Sequence, residues 1–585
     1  MRKNARDKMR KNLLSTAAMV GVAAVFAWSG AVVADDFDGR GPDFGRDFGR
    51  HDNDGHHGSP QNEARTATPI KHLVIIFNEN RSFDHYFATY PNATNPPGEP
   101  VFKAARHTPA VNNLAANPYL LNNNGNFTNP ANGSGAANPF RIDRTQVNTA
   151  GQGHSYTPEQ EAYDNGAADL FPKFTGHGTS GGAGAFGTSG MVMGYYDGNT
   201  VTGIWNYAQH FAMSDNAYTD TYGPSTPGMV NVIAGQTNGA KAIVGNPSMI
   251  SDGAGGFTLI GDTDPGFDVC SSTTSQVMMT GKNIGDLLNA AHLTWGSFAG
   301  GFNLQTVNAN QTTGCKRSTF SAVIGGSPTD YIPHHIWFQY YASTANPTHA
   351  RPSSTEAIGY STTRNGGTAD PANHNYDLND FYAAVKAGNY PSVSYVKMPA
   401  YQDGHPGNSN PLDEQEGTTS LINFLQQQPD WKNTAVILTY DDSDGWYDHA
   451  YATPTSASFD PTADQVNGPG RCGTGTQPYG LNGQPVNGRC GPGTRIPFIV
   501  ISPFAKHNYV SHERISQASV VRFIEDNWLH GERLGGGSFD ASAGSILDMF
   551  DFRQEDRDDK LILDPSTGTV VASSRDDDHD HDHGH

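Results

Sequence analysis

Two apolar runs, residues 72–77 and 434–439, constrain the fold of this chain more than any other feature of its sequence. Both contain Val, Ile and Leu, the composition of strands that are buried on both faces in the middle of a parallel sheet. Further strands are predicted at 294–298, 392–397 and 497–502, and helices at 283–291, 418–428 and 516–529. Because strands and helices alternate, we predict an α/β fold, a three-layer α/β/α sandwich with a mostly parallel central sheet.

A cluster of polar side chains lies just beyond each of the two runs. Glu79 and Asn80 follow the first, and Asp441 and Asp442 follow the second. Ligands of open α/β sheets bind beyond the carboxyl ends of the strands, so these four side chains are expected at one edge of the sheet. Adjacent carboxylates repel each other unless a proton or a cation neutralises them, which favours a divalent metal site. The alternative for the first cluster is a solvated turn that caps the next helix.

A serine is predicted at the start of a helix. A Gly-Pro pair at 223–224 breaks the chain just before Ser225, and an apolar run follows at 229–234. Free N–H groups and the helix dipole favour anions at such a position, and a hydroxyl there can attack phosphorus or carbon. The alternative interpretation is that Ser225 only caps the helix.

Several histidines lie beside predicted elements: His154 before a predicted helix, His405 after a predicted strand, and His335 between them in sequence. His335 lies next to His334 in an aromatic-rich segment. The aromatic side chains of residues 331–341 either wall a binding pocket, with a face for a cationic head group, or form part of the core.

The two ends of the chain are predicted to lie outside the catalytic domain. Residues 1–34 have a basic start, an apolar run and small residues before the cleavage point, as in a signal peptide. The apolar run is shorter than the ~20 residues of a membrane-spanning helix. Residues 35–66 read as a disordered polar segment, and 561–585 as an acidic His/Asp-rich tail. Residues 67–560 remain as one catalytic domain.

The net charge of the chain bears on nucleic-acid binding, and its cysteines bear on the cellular compartment. A formal net charge of −21 gives no basic surface for nucleic-acid phosphates, and no later stretch is long and apolar enough to span a membrane. The four cysteines have no C-x-x-C spacing, so a zinc ribbon is not expected. In an exported protein, periplasmic or secreted, sequence proximity favours disulfides Cys270–Cys315 and Cys472–Cys490, with free thiols as the alternative.

Motifs from about residue 71 to 529 resemble the bacterial phosphoesterase family. That family contains phospholipases C and a branch of acid phosphatases, within the alkaline-phosphatase-like superfamily. The matching segments are ENRSFDHYFATYP from Glu79, GPSTPG from Gly223, HHIWFQYY from His334, HP at His405, YDDSDGWYDH from Tyr440 and PFIVISPFAK from Pro497. Because they occur in the family's order, they are more specific together than any one of them alone.

The resemblance implies a role for each candidate residue. The implied metal ligands are Glu79, Asn80, Ser225, Asp441 and Asp442. Ser225 is also the implied nucleophile, and the implied phosphate contacts or proton donors are His154, His335 and His405. His334 is the alternative to His335. The metal is left open, since an all-oxygen set suits Mg, Ca or Mn, whereas histidine ligation favours Zn or Fe.

Two departures from the phospholipase branch resemble the acid phosphatase branch instead. The second acidic motif is Asp441-Asp442-Ser443-Asp444-Gly445 in place of Asp-Glu-His-Gly-Gly, and Ser225 stands where that branch often has Thr. The expected function is therefore that of an exported metal-dependent phosphoesterase that hydrolyses phosphomonoesters through a phosphoserine. The alternatives are a phospholipase C acting on phospholipid head groups, and a periplasmic metal-binding protein that uses its His/Asp tails.

Overall fold

An eight-stranded sheet forms the centre of the part of the chain that the computed structural model describes, residues 59–363, 367–553 and 558–574. Its strands are β1 His72–Asn78, β2 Ala212–Ser214, β3 Trp295–Ala299, β4 Asn375–Asp377, β5 Val393–Lys397, β6 Thr434–Tyr440, β7 Phe498–Ile501 and β8 Tyr509–Ser511. Their order across the sheet is β4-β3-β5-β1-β6-β7-β2-β8. The two predicted central strands, β1 and β6, therefore lie side by side.

Most neighbouring strands of this sheet run parallel. The pairings from β4 through β6 and the pairing of β2 with β8 are parallel, whereas β7 is antiparallel to both β6 and β2. Every residue of β1 and β6 is buried, as expected for strands covered by helices on both faces. The predicted α/β fold with a mostly parallel sheet is confirmed.

Helices cover both faces of the sheet. The α-helices are α1 Phe83–Phe87, α2 Pro118–Asn122, α3 Gly125–Thr128, α4 Tyr156–Ala162, α5 Phe171–Phe174, α6 Thr202–His210, α7 Ser225–Ala234, α8 Ile284–Ala290, α9 Leu378–Lys386, α10 Pro411–Gln426 and α11 Ala518–Trp528. Asn78 of β1 donates a hydrogen bond to Glu414 of α10. Tyr395 of β5, which pairs with Ile75 of β1, donates to the Val232 carbonyl of α7. Because side chains alternate between the faces of a strand, α7 and α10 lie on opposite faces.

Shorter strands pair around the main sheet. They are Phe140–Arg141 with Gly194–Tyr195, Ala217–Tyr218 with Ile515–Ser516, Met249–Ser251 with Phe257–Leu259, Leu561–Leu563 with Val570–Ser573, and Gln276–Met279 with both Ala240–Val244 and Asp264–Pro265.

Residues 59–66, the end of the segment predicted as disordered, pack against the fold. Gln61 is buried, and the backbone N–H of Ser59 donates to the Asp430 carboxylate (3.1 Å). These residues are held by polar contacts rather than by an apolar face, so their composition gave no sign of order. The predicted domain start at residue 67 is therefore too late.

The segment predicted as an acidic tail from residue 561 begins with a strand pair. Leu561 and Leu563 are buried, and Asn423 of α10 donates to the Leu563 carbonyl (2.7 Å). An apolar run of this length is too short to stand out beside acidic sequence, which is why the predicted tail begins too early. The His/Asp-rich end from residue 575 lies outside the described residues.

Both predicted disulfides are present. Cys270–Cys315 and Cys472–Cys490 have Cα–Cα distances of 5.3 and 5.8 Å. The second supports the chain that leads into α7, because the Cys490 carbonyl accepts a hydrogen bond from the Tyr222 N–H (3.0 Å). Closing such a loop stabilises the folded state by restricting the unfolded chain, typically by about 2–4 kcal/mol.

Candidate active site

The loops that leave β1 and β6 are joined by hydrogen bonds. The backbone N–H groups of Asn80 and Asp442 both donate to Asp441 Oδ1, each at 2.8 Å, and the Arg81 N–H donates to the Asp442 carbonyl (2.9 Å). Asn80 has φ 62°, in the left-handed region that asparagine tolerates better than most residues. The predicted group Glu79, Asn80, Asp441 and Asp442 is therefore brought together at one edge of the sheet.

Ser225 is the first residue of α7 and is buried in the same cluster. Its hydroxyl lies 3.1 Å from Glu79 Oε2 and 3.2 Å from Asp442 Oδ2, each of which can accept its proton in a hydrogen bond. The residue that precedes the helix is Pro224, and no side chain caps it. The alternative that Ser225 only caps the helix is wrong, because its hydroxyl faces carboxylates.

A glycine allows α7 to approach the end of β6. A Cβ added at Gly228 would lie 2.2 Å from the carbonyl oxygen of Asp441, which is backbone and cannot move aside as a side chain would. Gly228 is one helical turn beyond Ser225, so its contact with residue 441 fixes how deeply the nucleophile candidate sits among the carboxylates.

We expect Gly228→Ala to push α7 away from β6. Overpacking of this kind costs about 1–3 kcal/mol, and a displacement of about 1 Å at the reacting groups lowers turnover on the order of 100-fold. Unfolding in urea and initial rates on an aryl phosphomonoester measure the two effects. The matched control is Gly475→Ala, since a Cβ at Gly475 meets nothing within 4 Å. Wild-type stability and rate in Gly228→Ala would contradict the positioning role.

The residues of this cluster fit a divalent metal ion. Among the described residues, Asp441 Oδ2 and Asn80 Oδ1 are buried without a hydrogen-bond partner, a costly arrangement unless a cation meets them. Burial and the charge of Asp441 raise the pKa values of Glu79 and Asp442 well above their usual range, so the cluster needs positive charge or protons. Carboxylate, amide and hydroxyl oxygens are the donors that hard divalent cations prefer.

All three candidate histidines lie at the cluster. His335 Nδ1 is 3.1 Å from Glu79 Oε1, and the His335 ring stacks on that of His405 with centroids 5.7 Å apart. Glu79, His335 and His405 present donor atoms within 4.8 Å of one another, a second arrangement able to hold a metal. His154 Nε2 is 3.4 Å from Asn80 Nδ2. His334 pairs instead with Asp264 (3.2 Å), so His335 rather than its neighbour reaches the cluster.

The histidines differ in their charge. Burial lowers the pKa of His154, but the negative charges of Asp442 and Asp444 have the larger combined effect. The pKa of His154 is therefore raised to about 10. Burial, with the charge of His154, lowers the pKa of His405 to about 4. The site therefore combines a protonated imidazole with a neutral one, which provides both a proton donor and a proton acceptor.

Two further residues, which sequence analysis did not single out, contact Glu79 and His335 within the cluster. Lys397, the last residue of β5, is buried and donates to Glu79 Oε1 and to the Phe77 carbonyl. Asp403 is also buried, with Oδ2 3.5 Å from His335 Nδ1. A lysine that ends a fully buried strand is a signal that was available in the sequence, whereas nothing in its local sequence marks Asp403.

Glu159 of α4 joins the loop that precedes Ser225 to the loop that follows β6. Its Oε1 accepts from the Ser443 hydroxyl (2.6 Å) and its Oε2 accepts from the Gly223 N–H (2.9 Å). Burial is the largest cause that raises the pKa of Glu159 to about 7. The sequence predicted only a helix start here, because the two partners are distant along the chain.

Asp448 and His449 follow β6 but do not join the cluster. The buried guanidinium of Arg495 pairs with both Asp448 and Asp84 (3.2 Å each), and His449 Nδ1 lies 2.6 Å from Asp84 Oδ2. An internal cation already neutralises these carboxylates. This group ties α1 to the loop after β6 and thereby holds the two loops of the active site together.

Most aromatic side chains of the segment 331–341 lie in the core. Trp337 is fully buried and its ring contacts Phe77 of β1 and Tyr395 of β5. Phe338, Tyr340 and Tyr341 are buried as well. The core interpretation holds for these four side chains, since all of them are almost completely buried and none presents an open face to a cationic head group.

A comparison with known families decides where the chain belongs. The sequence model of the Phosphoesterase family matches residues 70–529, which covers β1, α7, β6 and every candidate site residue. The chain belongs to the phosphoesterase family. This confirms the resemblance drawn from the motifs.

Several relatives of this chain carry the name phospholipase C. The non-hemolytic phospholipase C of Pseudomonas aeruginosa is 24% identical over 476 residues, which cover 78% of this chain and 54% of that protein. The non-hemolytic phospholipase C of Burkholderia pseudomallei is 24% identical over 79% of this chain and 55% of its own length. Phospholipase C A of Mycobacterium tuberculosis is 24% identical, over 78% and 72% respectively. The chain thus spans about half the length of the first two.

A solved structure of an alkaline phosphatase superfamily protein from Vibrio parahaemolyticus was also found as similar to this chain. It is 11% identical with a TM-score of 0.27, over 64% of this chain and 69% of that one. Similarity at this level does not bear on the activity.

Proposed function

We propose that this phosphoesterase hydrolyses phosphate esters with Ser225 as the nucleophile, beside a divalent ion held by Glu79, Asn80, Asp441 and Asp442. The observation that supports this most is the position of the Ser225 hydroxyl. It lies within 3.2 Å of two carboxylates whose pKa values burial raises, at the positive end of a helix dipole.

Ser225 carries out the first step of this mechanism. Its Oγ attacks phosphorus in line while its proton passes to the carboxylate that accepts its hydrogen bond, and the bond from phosphorus to the leaving oxygen breaks. The protonated imidazole of His154, whose side chain is 17% exposed, is placed to give a proton to that oxygen. A divalent ion, when bound, neutralises the carboxylates and polarises the phosphoryl oxygens.

A second step restores the enzyme. A water molecule attacks phosphoserine 225, the Oγ–phosphorus bond breaks, and free phosphate or a phosphomonoester leaves. His154, deprotonated in the first step, takes the proton of the water, and the carboxyl group returns its proton to Ser225 Oγ. The residues thus end in their starting protonation states.

Phosphomonoesters are the proposed substrates. The support for this class comes from two sequence features that resemble the acid phosphatase branch. They are the serine at position 225 and the second acidic motif with Asp442 and Asp444. The second candidate is a phosphodiester of a phospholipid head group, and the names of the relatives favour it. The metal-binding interpretation based on the tails remains a proposal outside the described residues.

One assay separates these candidates. The purified full-length chain is given an aryl phosphomonoester and an aryl phosphorylcholine diester, each with chelator and after Mg, Ca, Mn, Zn or Fe is restored. We expect the monoester to have the higher kcat/KM and both activities to be lost with chelator. A higher value for the diester would assign phospholipase C activity. Cleavage of neither ester with any metal would overturn the proposal and favour metal binding alone.

Export to the periplasm or outside the cell is part of the proposal. Two disulfides are typical of oxidising compartments. In the described part of the chain, no helix combines the length and apolar character needed to cross a membrane. The predicted leader lies outside the described residues. The N-terminal sequence of the protein recovered from cells would test it, since a start at Met1 would contradict cleavage after Ala34.

A further inference from the structure

Glu79 stands between two groups of side chains. Its Oε2 accepts from Ser225, on the side where Asp442 lies. Its Oε1 accepts from the Lys397 amine and is 3.1 Å from His335 Nδ1. The carboxylate therefore has one oxygen toward the nucleophile and the other toward a lysine.

Around Glu79 Oε1, the oxygen that faces Lys397, lie the ligand atoms that a second metal ion would use. Glu79, His335 and His405 offer donor atoms within 4.8 Å of one another. Asp403 Oδ2 and His335 Nδ1 are buried 3.5 Å apart, and among the described residues neither atom makes a contact with hydrogen-bond geometry. In two-metal hydrolases the ions lie about 3.5–4 Å apart, so that they share groups of the site. Glu79 has the position of such a shared ligand.

Lys397 occupies this side. β5 pairs with β1 up to Val396 and Ile76, so the next residue, Lys397, lies beside the end of β1. Its side chain is 3% exposed, and besides Glu79 it donates to the Phe77 carbonyl (3.2 Å). A buried amine is retained only where it is paired, and here its partner is a carboxylate of the catalytic cluster.

We propose that Lys397 takes the place of a second metal ion, so that the centre binds one divalent ion, on the Ser225 side of Glu79. This rests on the metal centre of the proposed function. A divalent ion held by Glu79 Oε1 and the two histidines would be repelled by the ammonium on the same oxygen. The lysine supplies fixed positive charge there and leaves Glu79 Oε2 for the ion beside the nucleophile.

The number of bound ions tests this directly. The full-length chain is stripped with chelator, equilibrated with excess Mn²⁺ and desalted, and manganese per chain is measured. The reference is Asp441→Asn/Asp442→Asn, which keeps the His/Asp tails but loses the centre, so ions on the tails subtract out. All counts are compared with the reference. We expect an excess of one ion in the wild type, one in Lys397→Arg and two in Lys397→Met.

The outcomes separate the inference from the function on which it rests. A wild-type excess of two ions would overturn the role of Lys397 and leave the metal centre intact. An excess of zero would overturn the metal centre itself. A folded Lys397→Met, checked by circular dichroism, that still binds only one more ion than the reference would also overturn the role. If that variant does not fold, a wild-type excess of two ions would still overturn the role of Lys397.

Discussion

Replacing Ser225 with alanine is expected to lower kcat on an aryl phosphate by at least about 10⁴-fold, because the attacking atom is removed while the surrounding carboxylates remain. The fold should survive, since the change deletes one hydroxyl whose two contacts are both with carboxylates of the same cluster. Initial rates and a thermal unfolding curve of both proteins measure these effects. Wild-type turnover in Ser225→Ala would exclude Ser225 as the nucleophile.

A covalent intermediate gives the same prediction an independent measurement. Acid quenching during turnover should trap phosphoserine at residue 225 of the wild type, and the corresponding peptide of Ser225→Ala should carry no phosphate. The matched control is Thr226→Ala. Thr226 is the next hydroxyl of α7, but its Oγ1 bonds Asp262 (3.1 Å) rather than the cluster. We expect this variant to keep activity within about tenfold of the wild type.

The core of the candidate site was predictable because its residues adjoin the most strongly marked strands. Runs of Val, Ile and Leu located β1 and β6, and the polar residues just beyond them had to share an edge once the strands paired. Glu79, Asn80, Asp441 and Asp442 follow from that argument without knowledge of the rest of the chain. A position beyond the strand is not sufficient by itself, since Asp448, further along the second loop, lies with Arg495 instead.

The remaining residues depend on packing that local sequence does not express. α10 was predicted from residue 418 but begins at Pro411, because its first turns are polar and nevertheless buried. Glu414 in those turns bonds Asn78 and Tyr440 at the ends of β1 and β6. Lys397 likewise acquires its partner only through the pairing of β5 with β1. A buried polar residue whose partner is distant in sequence has no apolar period to reveal it.

Asp442→Asn is expected to abolish metal-dependent activity without weakening the metal-free protein. Burial and Asp441 raise the pKa of Asp442 well above its usual range, so the folded protein disfavours the negative charge of this side chain when no cation is bound. An amide of the same shape carries no charge, and its oxygen can still accept from the Asp444 N–H, as Asp442 Oδ1 does. The metal-free variant should therefore unfold at the wild-type temperature or above it.

Metal should then distinguish the two proteins. A ligand that binds only the folded state at 100 times its Kd stabilises that state by about 2.7 kcal/mol, so Mg²⁺ or Mn²⁺ should raise the unfolding temperature of the wild type but not of Asp442→Asn. The same loss of a ligand should lower kcat/KM by at least about 1000-fold. Thermal unfolding with and without metal, beside initial rates, measures both. Equal stabilisation by metal in the variant would show that the ion is held elsewhere, with Glu79, His335 and His405 as the next candidates.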